Sequence, residues 1–165
     1  VDVMVTNKLE YLLLTLMDLA MNSTDDYVVS RDVAERQGIS PKYMPQLMAL
    51  LTKKGWGDSA RGCKGGVRLV ADPHEITVSD VVEVGGEPLI IKPCVAAEYP
   101  CERKRECPLN LLWLKAQNSV DRIAENTTLA DLLEAKSRLK TKSRLEENAP
   151  WKDNLDTEGE AANPA

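Results

Sequence analysis

The sequence holds one histidine, no Cys-x-x-Cys pair, no phosphate-binding loop and no long apolar run. Each absence removes a class of function. With one histidine and no catalytic dyad or nucleotide loop, readings as an enzyme or an electron carrier have little to rest on. His74 sits beside Pro73 and reads as a turn residue. The glycines of residues 62–66 are followed by neither a helix nor a Lys-Ser/Thr pair, so they do not form a phosphate-binding loop. No apolar stretch approaches the roughly 18–20 residues that cross a bilayer, and no membrane partner is expected. The first residues lack the basic segment, apolar stretch and small-residue site of a secretory leader, so the expected location is the cytoplasm, where thiols stay reduced.

What is present is a globular composition, 43% apolar and 28% charged in 165 residues, enough for one domain and a short extension. The net charge of −5 argues against a nucleic-acid partner until its placement is considered. Residues 31–69 carry eight basic side chains against three acidic ones. Residues 146–165 carry six acidic side chains against one lysine and show no apolar period, which is the pattern of a disordered tail. A basic stretch within an acidic protein is the electrostatic footprint of a DNA-binding face, although basic patches without that role are common.

Leu9, Leu12, Leu13, Leu16, Met17 and Ala20 recur at helical spacing and predict a first helix ending near Met21. Ser30 is the expected cap of a short helix over residues 31–37, with Val33 and Ala34 inward and Gly38 stopping it in the left-handed conformation. Ser40 is the expected cap of a third helix over residues 41–54, with Pro41 at its first position, Leu47, Leu50 and Leu51 inward, and an irregular first turn at Pro45. That pair of helices around Gly38-Ile39-Ser40 is a helix-turn-helix pattern. Lys42, Tyr43 and Gln46 lie near the exposed start of its recognition helix, and the Gln46 amide suits adenine edges. Residues 56–70 read as strand, glycine-rich turn, strand, a wing whose tip carries Arg61 and Lys64 for phosphates or a minor groove. Thr77 with Asp80, and Thr128 with Asp131, predict capping boxes for two further helices. Between them, residues 108–126 form a helix with two apolar faces, Leu111 and Leu114 adding to Leu109, Leu112, Trp113, Ala116, Val120 and Ile123. One face can cover its own domain and the other a second copy of the chain.

Cys94, Cys101 and Cys107 fall in one loop, while Cys63 stands alone. Unprotected thiolates in an exposed loop oxidise, so a soft metal centre is a natural occupant. The spacing leaves an iron–sulfur cluster, a zinc site and a set of unmetallated thiol sensors all open.

The run from Arg31 to Ser40, the wing from Ser59 to Leu69 with its Arg-Gly-x-x-Gly-Gly core, the segment Glu75-Ile76-Thr77-Val78 and the three later cysteines together resemble the Rrf2 family of winged-helix regulators over about residues 5–135. The resemblance implies a mainly α fold, a winged helix-turn-helix with a two-stranded β wing plus a long dimerisation helix. It implies homodimers on imperfect palindromes of double-stranded DNA, with Ser40, Tyr43, Gln46 and Arg61 at DNA-contact positions. It also implies an iron–sulfur cluster, 2Fe-2S or 4Fe-4S, on Cys94, Cys101 and Cys107. Glu10 occupies the position of an acidic fourth ligand that some relatives supply across the dimer; others use a histidine where this chain has Asn110. Pro45 stands where relatives often carry an acidic specificity residue, and Cys63 lies within the wing tip, so the relatives' operator does not transfer. The expected organisation is a DNA-binding domain over 1–86, a cysteine loop over 87–107, dimerisation and C-terminal helices over 108–140 and an acidic tail over 141–165. The expected function is a dimeric transcriptional regulator, not an enzyme, whose cluster responds to redox state, iron or reactive small molecules. The alternatives are a cluster-free regulator with thiol sensors or a zinc site, and a winged helix that binds protein.

Overall fold

The computed structural model describes residues 5–23, 26–62, 65–96, 98–104 and 106–147. Helix α1 (Asn7–Asn22) starts where the Thr6 hydroxyl accepts the Leu9 N–H at 3.3 Å. Leu9, Leu12, Leu16 and Leu19 are its buried stripe, so the inward face lies one position round from the expected one and Leu13, Met17 and Ala20 are only half-buried. Each leucine buried in this way stabilises the fold by roughly 1.5–3 kcal/mol. Turning the stripe toward Leu19 also buries Thr15 and Asp18.

Helix α2 (Ser30–Gln37) is short, and Gly38 ends it at φ 66°, with the Ile39 N–H donating to the Ala34 carbonyl at 2.9 Å. Ser30 is its first helical residue; Val29 holds the cap position and no side chain caps the helix, so the expected serine cap is not made. Helix α3 (Met44–Lys54) begins later than the sequence suggested. Residues 41–43 form a turn in which the Ser40 carbonyl, not its hydroxyl, accepts the Tyr43 N–H at 2.9 Å. Pro45 then falls in the first helical turn, where a missing N–H costs nothing. The irregular turn expected at Pro45 is therefore the turn before the helix. Met44, Leu47, Met48 and Leu51 are buried where α3 meets α1, α2, the wing strand that follows it and the helix over residues 78–85, and Leu50 is half-buried.

Gly55 (φ 84°) ends α3 and leads into strands β1 (Gly57–Ala60) and β2 (Gly66–Leu69), paired antiparallel with Asp58 opposite Arg68. Val28, from the loop after α1, bridges to Val67 through two backbone bonds of 3.0 and 2.9 Å and anchors the wing to the helices. Helix α4 (Val78–Gly85) carries the expected capping box of Thr77 and Asp80 and packs on α1. After an extended connector and a short 3-10 turn (Pro93–Val95), helix α5 (Pro108–Asn126) takes the expected bounds and packs on α4. The Thr128–Asp131 capping box opens α6 (Leu129–Glu147), and its first residue donates the Leu129 N–H to the Ile76 carbonyl at 2.8 Å. Residues 1–131 form one compact unit and 132–165 a second. Helix α6 runs past residue 140, and the rest of the acidic tail lies outside the described residues. Among the described residues no helix is long and apolar enough to cross a membrane.

Candidate nucleic-acid interface and cysteine loop

Ser40, Lys42 and Tyr43 are exposed in the turn before α3, and Gln46 is exposed in its first turn. The same turn buries Met44 and Leu47, so core packing directs the polar residues outward. Tyr43 is 53% exposed, yet its ring sits 5.9 Å from that of Tyr11 on α1 at a tilt of 58°. An aromatic neighbour restricts where the Tyr43 hydroxyl can point.

On the wing, Arg61 is exposed at the end of β1. Lys64 and Cys63 lie outside the described residues. A side chain at Gly65 would bring Cβ within 2.3 Å of the Ala60 carbonyl oxygen, and one at Gly66 within 2.2 Å of that of Val28, so the hairpin closes only without them. Tyr27 donates its hydroxyl to Asp58 at 2.6 Å, Arg68 reaches the same oxygen at 3.2 Å, and the guanidinium lies 5.0 Å from the Tyr27 ring centre. That hydrogen bond from Tyr27, with Arg68 beside it, holds the Asp58 carboxyl below its ordinary pKa; the same bond raises the pKa of Tyr27 against the opposing charge of Arg68.

Three of the eight cations in the basic stretch are thus committed elsewhere. Arg68 faces Asp58, Arg36 makes two bonds of 3.0 and 2.5 Å to Asp18, and Lys54 lies 3.6 Å from Glu83. Arg31, Lys42, Lys53 and Arg61 are further exposed charges of this stretch. Asp18 itself is 1% exposed and also accepts from Gln37 and Asn22. Burial alone would raise its pKa, but the bonds from Arg36 and Gln37, with the Arg36 charge, bring it below the usual carboxylate value.

The cysteine loop is packed against the start of α5. Cys94 lies in the 3-10 turn, Cys107 at the N-cap of α5, and Cys101 between them; all three are half-buried and unpaired. Asn110, one turn into α5, is 6% exposed and donates its side-chain amide to the Cys94 carbonyl at 3.0 Å, while its backbone N–H donates to the Cys107 carbonyl at 3.1 Å. Lys104 donates to the Ala96 carbonyl at 2.6 Å. Gln117 donates to Leu89 and accepts from the Ile91 N–H, at 2.8 and 2.9 Å, fixing the connector along α5. Three thiols are the right donors for a soft metal centre, but among the described residues no three His, Cys, Asp or Glu side chains converge on a point that could hold an ion. Glu10 is exposed in the first turn of α1 and is not brought together with the cysteines in such a group. His74 is an exposed turn residue paired with Asp72 at 2.9 Å.

Against this geometry, the family model Rrf2, described as "Iron-dependent Transcriptional regulator", matches residues 5–135. The chain belongs to the Rrf2 family. Its relatives are transcriptional regulators, not enzymes, and this Rrf2 protein is a transcriptional regulator of the same winged-helix type. It is similar to the HTH-type transcriptional regulator IscR of Vibrio campbellii, 32% identical over 139 residues, 84% of this chain and 82% of that protein. Among solved structures it resembles CymR, the global cysteine regulator of B. subtilis, with a TM-score of 0.63 and 29% identity over 79% of this chain and 96% of that one. IscR of T. potens is comparable, at a TM-score of 0.62 and 29% identity over 82% and 89% of the two chains. For this Rrf2 regulator the sequence reading missed the roles of Asp18, Tyr11 and Asn110. One signal was legible for Asn110: a lone polar residue within the apolar run Leu109 to Leu114.

Proposed function

We propose that this Rrf2 regulator acts as a homodimer on an imperfect palindrome of double-stranded DNA, and that its affinity depends on an iron–sulfur group held at Cys94, Cys101 and Cys107. The observation that carries this reading is the seating of the cysteine loop on the first turn of α5, whose outer face leaves Leu109, Leu111 and Leu112 57, 65 and 52% exposed. Apolar side chains uncovered in adjacent turns fit a helix that pairs with a second copy. Ser40, Lys42, Tyr43 and Gln46 would present to the major groove, and Arg61 with Lys64 to phosphates or the minor groove. Glu10 of the second copy would complete the donor set.

When bound, such a group, 2Fe-2S or 4Fe-4S, supplies a centre whose oxidation or loss reports redox state, iron supply or reactive small molecules. The three thiols, once ligated, brace the loop on α5; released, they leave it held by backbone and amide bonds alone. Because α5 would join the two copies, that difference can alter the separation of the two recognition helices. The test is anaerobic purification with a visible spectrum, iron and acid-labile sulfide assays, and selection of the operator from random DNA. Bound iron and sulfide, a palindromic site, and a Cys101→Ser variant that lacks the group and shifts operator affinity by about tenfold or more are expected. A cluster-free Cys101→Ser protein with unchanged operator affinity overturns the switch. A second reading, free thiols as sensors, is favoured by the partial exposure of all three unpaired cysteines. It is selected if reconstitution yields no iron or sulfide while mild oxidation still changes DNA affinity.

A further inference from the structure

We propose that Asn110 is a positioning residue that brings the Cys94 and Cys107 ends of the loop together before any metal arrives. The inference rests on reading those cysteines as parts of one site. Asn110 inverts the usual order of burial on α5: Leu109, Leu111 and Leu112 face outward while the amide between them is 6% exposed. A buried polar group persists when its hydrogen bonds are made, and this one is spent on the loop. Its side-chain N–H donates to Cys94 across 16 residues of sequence, at 3.0 Å. Its backbone N–H donates to the Cys107 carbonyl at 3.1 Å, the N-cap residue of the same helix. Pro108 follows Cys107 and fixes the backbone angle at the first helical position, so the Cys107 end is set locally. The Cys94 end is shaped locally by Pro93 and by the Val95 and Ala96 N–H bonds of its 3-10 turn, but those bonds stay within residues 92–96 and do not tie it to α5. The Asn110 amide supplies a tie from the helix. Asn110 thereby couples the loop to the leucines on either side of it, so a change in the loop reaches the face of α5 that we assign to the second copy.

The test uses the full-length apo protein under anaerobic conditions, with iodoacetamide as the probe and peptide mapping to resolve each cysteine. In Asn110→Ala, and in Asn110→Ser as a smaller polar replacement that cannot reach the Cys94 carbonyl, Cys94 is expected to alkylate about fivefold or more faster. Cys101, which the amide does not touch, stays within about twofold and serves as the control for general unfolding. Reconstitution with ferrous iron and sulfide is expected to be slower and less complete in both variants than in the wild type. Unchanged Cys94 reactivity in a folded variant overturns the proposal, as does an equal acceleration at Cys94 and Cys101. If the wild type takes up no iron or sulfide yet Cys94 alone is unmasked, the cluster reading fails and the clamp stands. If the wild type loads and the variants load equally with unaltered Cys94 reactivity, the clamp fails and the cluster reading stands.

Discussion

Asp18 is a carboxylate almost closed to solvent that ties α1 to the end of α2 through Arg36 and Gln37. Helix α2 packs on α3 and leads into the turn before it, so this pair fixes the support of the residues proposed to meet DNA. Asp18→Asn removes a charge-assisted fork, and a loss of about 2–3 kcal/mol is expected, read as a lower urea midpoint at unchanged slope. The folded carboxyl titrates below its ordinary value of 3.8, so its contribution is present in full above 3.8 and is lost as pH falls through the lower folded value. Wild-type and Asp18→Asn midpoints should therefore converge below pH 3.8; midpoints that stay equally far apart there would contradict this account. Tyr11 sets its ring 5.9 Å from that of Tyr43, a residue proposed to meet DNA. Replacing either by Ala should weaken specific DNA binding, and a double-mutant cycle should return a coupling of about 0.5–1.5 kcal/mol, the worth of one aromatic pair. Strict additivity would show that the ring contact does not position Tyr43.

At the scale of elements, the wing and the helix-turn-helix corner use glycine for different reasons. Gly38 adopts φ 66° with open space around the position of a Cβ, whereas Gly66 lies where a Cβ would strike the Val28 carbonyl. Gly38→Ala should cost about 1–2 kcal/mol in backbone strain and leave the wing intact. Gly66→Ala should break the Val28–Val67 bridge and lower the thermal midpoint by about 4–8 °C, with amide exchange rising first at residues 28 and 67. Boundaries that depend on caps and turns were legible from sequence: the stop at Gly38, the Thr77–Asp80 box and the full span of α5. The start of α3 was not, because Ser40 and Pro41 make as good a local start as Tyr43 with Pro45. Burial of Met44 with Leu47 and Met48 selects the later one.

At the scale of the whole molecule, the proposed dimer and the DNA contact are separable. Leu112 and Ile123 are 52% and 66% exposed on α5 and lie outside the recognition turn. Leu112→Lys with Ile123→Lys should give a monomer by sedimentation with the helical circular dichroism retained, and operator binding should fall as the second half-site is lost. A doubly substituted protein that still sediments as a dimer would place the interface elsewhere. With Arg36 and Arg68 neutralised by Asp18 and Asp58, the salt dependence of DNA binding should reflect the exposed cations. Arg61→Ala should lower the slope of log affinity against log salt by about 1, whereas Arg68→Ala should change stability more than slope.

The sequence by itself determined the kind and order of the elements, the family and the three cysteines in one loop, because periodicity, caps and motifs are written within a few neighbouring residues. Tertiary structure decided which polar groups are buried and which cations are spent. Asp18 meets Arg36 across 18 residues and Cys94 meets Asn110 across 16, and neither pairing has a local signature. Both exist because packing of the leucine stripe on α1 and the seating of α5 place one polar side chain out of water, where it stays only if a distant partner completes its hydrogen bonds.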